Sequence, residues 1–112
     1  MKNYQPHLFV IEQYNHQHRK NITDILTINS YKYKLDSFII INTNKHHFIC
    51  CFHCNNKEMI YDGASQLMLN NINWKTFLNI NKEWTLNYKN NNLQKIYYNF
   101  FNCYALYFYY RL

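Results

Sequence analysis

The chain has 112 residues, a formal net charge of +6, one Gly and one Pro, and no apolar run approaching the roughly 18 residues of a membrane span. A length of this order supports one modest core, which excludes an enzyme cleft built from two full lobes. A single Gly excludes the Gly-rich phosphate loops of dinucleotide and P-loop sites, which need several positions where backbone approaches phosphate closely. Residues 1–112 therefore read as one domain. Lysine outnumbers arginine ten to two and asparagine occurs nineteen times, the bias of an AT-rich coding sequence. The lysines are scattered and form no basic block, so the charge gives no footprint of a nucleic-acid surface. An aromatic content of 20% is more than disordered chains carry. Residues 1–5 lack the apolar core of a secretory signal, which points to an intracellular product with reduced cysteines.

Taken in chain order, residues 7–13 form a short apolar run after Pro6 and are expected as the first strand. Residues 14–20 are polar and read as a loop. Spacing leaves Ile22, Ile25, Leu26 and Ile28 open between helix turn and strand. From Tyr31 a period of two sets Tyr31, Tyr33, Leu35, Ser37 and Ile39 against Lys32, Lys34 and Asp36, so residues 31–41 predict a long strand whose second half is buried on both faces. The turn residues Asn42, Thr43, Asn44 and Lys45 then lead into a strand over 46–54, with Phe48, Cys50 and Phe52 on one face and Ile49 and Cys51 on the other. Asn55 and Asn56 tolerate positive φ and make a tight turn to a third strand ending at Asp62-Gly63.

Beyond Ser65 the pattern loosens. Trp74, Phe77 and Leu78 share a face at helical spacing, giving a short helix over 73–79 packed on the sheet. Residues 87–92 read as a loop, and 97–110 as a final, mostly buried strand in which Ala105, Tyr107 and Tyr109 alternate with Leu106, Phe108 and Tyr110. The expected fold class is α+β, mostly β: an antiparallel twisted sheet with one or two short helices.

His46, His47, Cys50, Cys51, His53 and Cys54 are residue types that bind zinc. Geometry opposes that reading, because residues three apart on a strand point to opposite faces and no second ligand pair follows at zinc-ribbon spacing. Cysteine redox chemistry also fails here, since a strand offers no helix N-terminus to lower a thiol pKa. Neither a metal nor a cofactor is expected.

A wider pattern carries more. Pro6, Leu8 and Val10 are followed by Tyr33, Leu35, Asp36 and Ser37, then His47-Phe48, then Cys54-Asn55-Asn56, then Tyr61-Asp62-Gly63 and Ser65, and finally Tyr109-Tyr110-Arg111. In this order the chain resembles the C-terminal half of ubiquitin-specific-protease-like, papain-like cysteine peptidases, in the branch found in large DNA viruses. The resemblance spans residues 6–111. It implies the β-rich lobe of such a peptidase, with His47 as general base and Asp62 as its orienter, the division of labour of a nucleophile–His–acid triad. His47 opens one strand and Asp62 closes its hairpin neighbour, which makes the pairing mechanically sensible. The family's nucleophilic cysteine lies upstream, in a separate lobe, and none of the four cysteines here matches it. The implied product is a truncated or split viral lobe, inactive alone and placed in the host cytoplasm or virion. Its partner would be a protein, either the Cys-bearing lobe or a ubiquitin-like protein. Two alternatives stand beside it. One is a non-catalytic protein-binding module. The other is a His–Asp–Cys hydrolase, ordered as in SUMO-type proteases, using Cys103; against it, Asn102 and Tyr104 do not resemble that family's Gly-bearing Cys motif.

Overall fold

A computed structural model describes residues 5–14, 21–44, 46–88 and 96–112. The expected loops over 14–20 and 87–92 lie largely outside the described residues, as do residues 1–4 of the N-terminal segment and Lys45 of the first turn. Among the described residues there are nine strands: β1 (Leu8–Gln13), β2 (Ile25–Ile28), β3 (Tyr31–Ile41), β4 (Phe48–Cys54), β5 (Lys57–Tyr61), β6 (Leu69–Asn71), β7 (Trp84–Thr85), β8 (Tyr97–Tyr98) and β9 (Ala105–Arg111). Seven build one antiparallel sheet in the order β1-β9-β3-β4-β5-β6, with β2 paired to the first half of β3. β7 and β8 form a separate two-stranded ribbon.

The two short hairpins follow from local chemistry. Asn29 and Ser30 have φ of 50° and 70°, and Asn55 and Asn56 have 50° and 63°. Two consecutive residues at positive φ make the mirror-image turn whose twist matches that of the flanking strands. Asparagine tolerates this region better than most residues, and Asn55-Asn56 was legible for that reason. Asn29-Ser30 closes the β2–β3 hairpin, which resolves 25–28 as strand.

β3 departs from simple alternation. Leu35 pairs with Tyr109 and Ser37 with Phe108, so two steps along β3 match one along β9. This β-bulge at Asp36 switches the faces. Tyr33 and Leu35 point into the core before it, whereas Phe38 and Ile40 do so after it. Ser37 and Ile39 consequently lie on the opposite face from Tyr33 and Leu35. The payoff is packing: the Phe38 ring meets Trp74, Tyr107 and Phe100 at centroid distances of 5.0, 5.2 and 5.5 Å.

Two other expectations are corrected in extent. The helix expected over 73–79 is a single 3-10 turn, Trp74–Phe77, the only helical element among the described residues. Its apolar face is as expected, with Trp74 and Leu78 buried, but Asn73 gives no side-chain cap. Asn79 instead spends its amide on both backbone groups of Ile22, at 2.8 and 2.9 Å. Residues 97–110 are not one strand, because Asn99 interrupts them. Its buried Oδ1 accepts the N–H groups of Phe101 and Asn102 at 3.0 and 3.1 Å, a local turn that competes with the ladder. The alternation resumes in β9, where Ala105, Tyr107 and Tyr109 are buried.

The core lies between one face of the sheet and the covering side chains of Trp74, Leu78, Leu86, Tyr98, Phe100 and Cys103. Several of its members are tyrosines that keep their hydroxyls satisfied at the rim. Tyr33 donates to Pro6 O and Tyr109 to Thr23 O, both at 2.7 Å. Burial, with Asp24 as a lesser cause, pushes Tyr109 up to about 12, and burial also moves Tyr98 well above the ordinary tyrosine range. An unfolded tyrosine ionises near pH 10. Above about pH 10 the unfolded chain therefore holds fewer protons than the folded one, and stability falls with rising pH. This contribution is complete below pH 10 and, for Tyr109, is lost as pH passes about 12. A spectrophotometric titration at alkaline pH, followed beside circular dichroism, should show Tyr98 and Tyr109 ionising only as the sheet melts. Ionisation of all twelve tyrosines near pH 10 with the sheet intact would contradict this.

Candidate functional site

His47 sits immediately before β4, and its backbone is fixed by Asn42, just past the end of β3. Asn42 N–H donates to His47 O at 2.7 Å, and Asn42 Oδ1 accepts the N–H groups of His46 and His47 at 2.8 and 3.0 Å. The amide is buried, so it acts as an internal staple that sets where the imidazole starts.

Asp62 follows β5 directly. Its N–H donates to Met68 O at 2.9 Å, and its carbonyl accepts from Ser65 N–H and Ser65 Oγ–H at 3.2 and 3.0 Å. Ser65 Oγ also lies within bonding reach of Leu67 O. This closed turn aims the carboxylate at the core side of the sheet, the side to which Ile60 two residues earlier also points. There Oδ1 accepts His47 Nε2–H at 2.8 Å and Ala64 N–H at 2.9 Å, while Oδ2 accepts the hydroxyl of Tyr88 at 2.9 Å. The Asp62 side chain is fully buried, and that of His47 is 31% exposed. A buried carboxylate is tolerated when its lone pairs are satisfied and a countercharge can form beside it. Both conditions hold here.

Because an ionised carboxylate only accepts, the hydrogen bond assigns the neutral imidazole's proton to Nε2 and leaves Nδ1 as the basic nitrogen. Behind the carboxylate stands a second hydroxyl: Tyr98 Oη is 3.2 Å from Tyr88 Oη. Burial is the main reason that both phenols are held protonated well above the usual tyrosine range, and the nearby carboxylate adds to it. The arrangement is thus an imidazole whose protonated form has a fixed, dry counterion, which is what a general base requires.

The structure brings together His47 and Asp62, as their strand-end positions suggested. It does not bring the cysteines to them. Cys51 is fully buried in the core and its thiol is pushed well above its ordinary range by burial first. Cys54 is exposed at the far hairpin and Cys50 is half-buried. Cys103 is buried, donating its thiol to Phe100 O at 3.3 Å, with Gln13 Nε2 on its carbonyl at 3.2 Å. Ile40 pairs with Ala105, and Ile41 N–H donates to Tyr104 O. Cys103 itself lies outside that ladder, in the bend that precedes β9. A cleft of about 260 Å³ opens at this end of the sheet, its walls including Asn42, Thr43, Glu83, Asn99, Cys103 and Tyr104. Among the described residues, no group of three His, Cys, Asp or Glu side chains is placed to hold a metal ion.

Two supporting residues escaped the sequence reading. Asn42 was legible only as a turn residue, and Tyr88 fell in a stretch read as loop. The isolated bridge between Ser65 and Tyr88, with Gln66 N–H on Asn87 O at 2.6 Å, is a long-range pairing with no local signal.

Gly63, the single glycine, sits inside the motif without needing to be glycine. Its φ is not positive, and an added Cβ would meet only the Tyr61 hydroxyl at 3.4 Å, the free end of an exposed side chain. Gly63→Ala should therefore fold normally and gain up to about 1 kcal/mol from a less flexible unfolded chain. A urea melt showing a loss above about 1 kcal/mol would mean that the turn needs glycine after all.

No helix among the described residues is long and apolar enough to cross a membrane. No protein-family model matches the chain, and no curated protein and no solved structure matches it either.

Proposed function

We propose that this chain is the His/Asp lobe of a split or truncated viral cysteine peptidase of the ubiquitin-specific-protease-like, papain-like kind, with the nucleophilic thiol supplied by another lobe. The observation that carries the reading is the 2.8 Å bond from His47 Nε2–H to a fully buried Asp62 carboxylate. In the proposed reaction Nδ1 of His47 takes the proton of a cysteine thiol as sulfur attacks the acyl carbon. The imidazolium then gives that proton to the leaving amine as the C–N bond breaks. Water, deprotonated by the same nitrogen, releases the acid from the thioester and restores the thiol. Asp62 stabilises the imidazolium throughout and is not itself protonated.

A protein partner is supported by the outer face of the sheet. Leu106, Ile39, Cys50, Tyr61 and Leu69 form one registered row across β9, β3, β4, β5 and β6. On the same face Phe48 pairs with Ile41. Phe48, Tyr61 and Leu69 remain 64%, 46% and 53% exposed. Phe48 follows His47 and Tyr61 precedes Asp62, so this apolar surface lies across the sheet from the site, on its opposite face. Large bare patches of this kind mark association surfaces, and the Cys-bearing lobe is the occupant that this reading requires.

A second reading follows from the cleft, whose wall includes Cys103 at the same end of the sheet as His47. There the chain would be a complete His–Asp–Cys hydrolase. The two readings separate in one experiment with a thiol-reactive, ubiquitin-based probe. In the first, the chain alone is unlabelled, labelling falls on the added Cys-bearing polypeptide, and His47→Ala removes it while the sheet stays folded. In the second, the chain alone is labelled and Cys103→Ser abolishes it. Labelling that survives His47→Ala sinks both, and an intact partner affinity in that variant would then point to the binding module.

A further inference from the structure

We propose that Tyr88 is a positioning residue of this site: its hydroxyl, clamped on Oδ2 of Asp62, turns the carboxylate so that Oδ1 stays on His47 and the imidazole keeps Nδ1 open as the base. The role rests on the reading of His47 as a general base, but the geometry stands by itself. Asp62 Oδ1 accepts His47 Nε2–H and Ala64 N–H, and Oδ2 accepts the Tyr88 hydroxyl at 2.9 Å, with the Tyr98 hydroxyl also acting on the carboxylate from behind. Without the Tyr88 hydroxyl, the buried Oδ2 would lose its short donor, a costly change in a dry site. The carboxylate would relieve it by rotating about Cβ–Cγ, and rotation withdraws Oδ1 from His47.

The clamp is aimed rather than incidental. The Ser65–Tyr88 bridge and the Gln66–Asn87 hydrogen bond tie Tyr88 to the very turn that presents Asp62. Tyr88 has one proton and the carboxylate takes it. The 3.2 Å contact with Tyr98 must then be donated by Tyr98, so two hydroxyls point in series at Oδ2 and polarise each other. Tyr98 is fully buried and stacked on Trp84 at 4.9 Å, which stops it from turning away to water. The titratable groups facing Asp62 are thus His47 from just before β4, Tyr88 from the segment after β7, and Tyr98 from β8 behind it.

The test uses nitrogen-15 NMR of the His47 ring in the full chain. The wild type should show the Nε2–H tautomer with a slowly exchanging ring proton. Tyr88→Phe removes only the hydroxyl. It should speed exchange of that proton about tenfold, the equivalent of one hydrogen bond's net free energy, and admit the Nδ1–H tautomer. Tyr98→Phe, which keeps the clamp but removes the donor behind it, should give a smaller acceleration of about two- to threefold. Unchanged tautomer and exchange in a folded Tyr88→Phe chain would overturn the proposal. Should that variant not fold, the wild type decides: a His47 ring proton exchanging as fast as that of a solvent-exposed imidazole, or an Nδ1–H tautomer there, overturns the proposal equally. Since the readout needs no hydrolysis, a probe experiment that rejects the peptidase reading leaves this result separately interpretable.

Discussion

Asp62→Asn should leave the sheet folded and, in the proposed assembly with a Cys-bearing lobe, reduce hydrolysis about 10,000-fold, the size of the same change in serine-protease triads. The asparagine has nearly the same shape, so its carbonyl can still accept Ala64 N–H. Its amide can meet the Tyr88 hydroxyl, which is able to accept. The fold therefore loses only about 1–2 kcal/mol of charge-assisted bonding. Catalysis loses more. The neutral amide cannot stabilise the imidazolium that forms when His47 takes the thiol proton. The check combines kcat with the His47 ring tautomer and a fluorescence or circular-dichroism melt. Retention of activity within about threefold, under 1 kcal/mol of barrier, would remove Asp62 from the mechanism. Loss of folding alone would reduce it to a structural acid.

Trp74→Ala should be the most damaging single core change, at about 3–5 kcal/mol. Trp74 has no exposed surface, meets Phe38 edge-on at 5.0 Å and His53 at 4.9 Å, and donates its indole N–H to Phe52 O at 3.1 Å. Truncation opens a cavity at the centre of the core and also leaves a strand carbonyl without its donor. A domain of this size holds about 5–15 kcal/mol in all, so the loss should lower Tm by at least 12 °C at about 4 °C per kcal/mol. Trp84, only partly buried and at the edge of the ribbon, serves as the comparison and should cost visibly less. A Trp74→Ala chain melting within a few degrees of wild type would show that the 3-10 turn is not what closes the core.

The contrast between those two tryptophans shows where the sequence sufficed. Trp74 and Trp84 both read as core side chains, yet nothing local ranks them, because rank depends on which strands pass beneath. Likewise β3 was visible as a strand from its alternation. The bulge at Asp36, which exchanges its buried face, is a register event between β3 and β9, two segments far apart in the chain. The Asn99 turn that splits the last strand had a residue type suited to it, but the same asparagine bias runs through the whole chain and hid the signal.

At the site, His47 and Asp62 were nominated by the resemblance to the peptidases, and their places at the ends of adjacent strands made the pairing mechanically sensible. By itself the sequence determined the antiparallel, mostly β character and the Asn55-Asn56 turn, since periodicity and turn chemistry act over a few residues. Only the tertiary structure decided that Asp62 is dry, that Tyr88 and Tyr98 stand behind it, that Asn42 staples the His47 backbone and that Cys103 is buried with its thiol on Phe100 O. Those facts depend on how segments distant in sequence close over one end of the sheet, where burial and long-range hydrogen bonds are set by packing and leave no mark on local pattern.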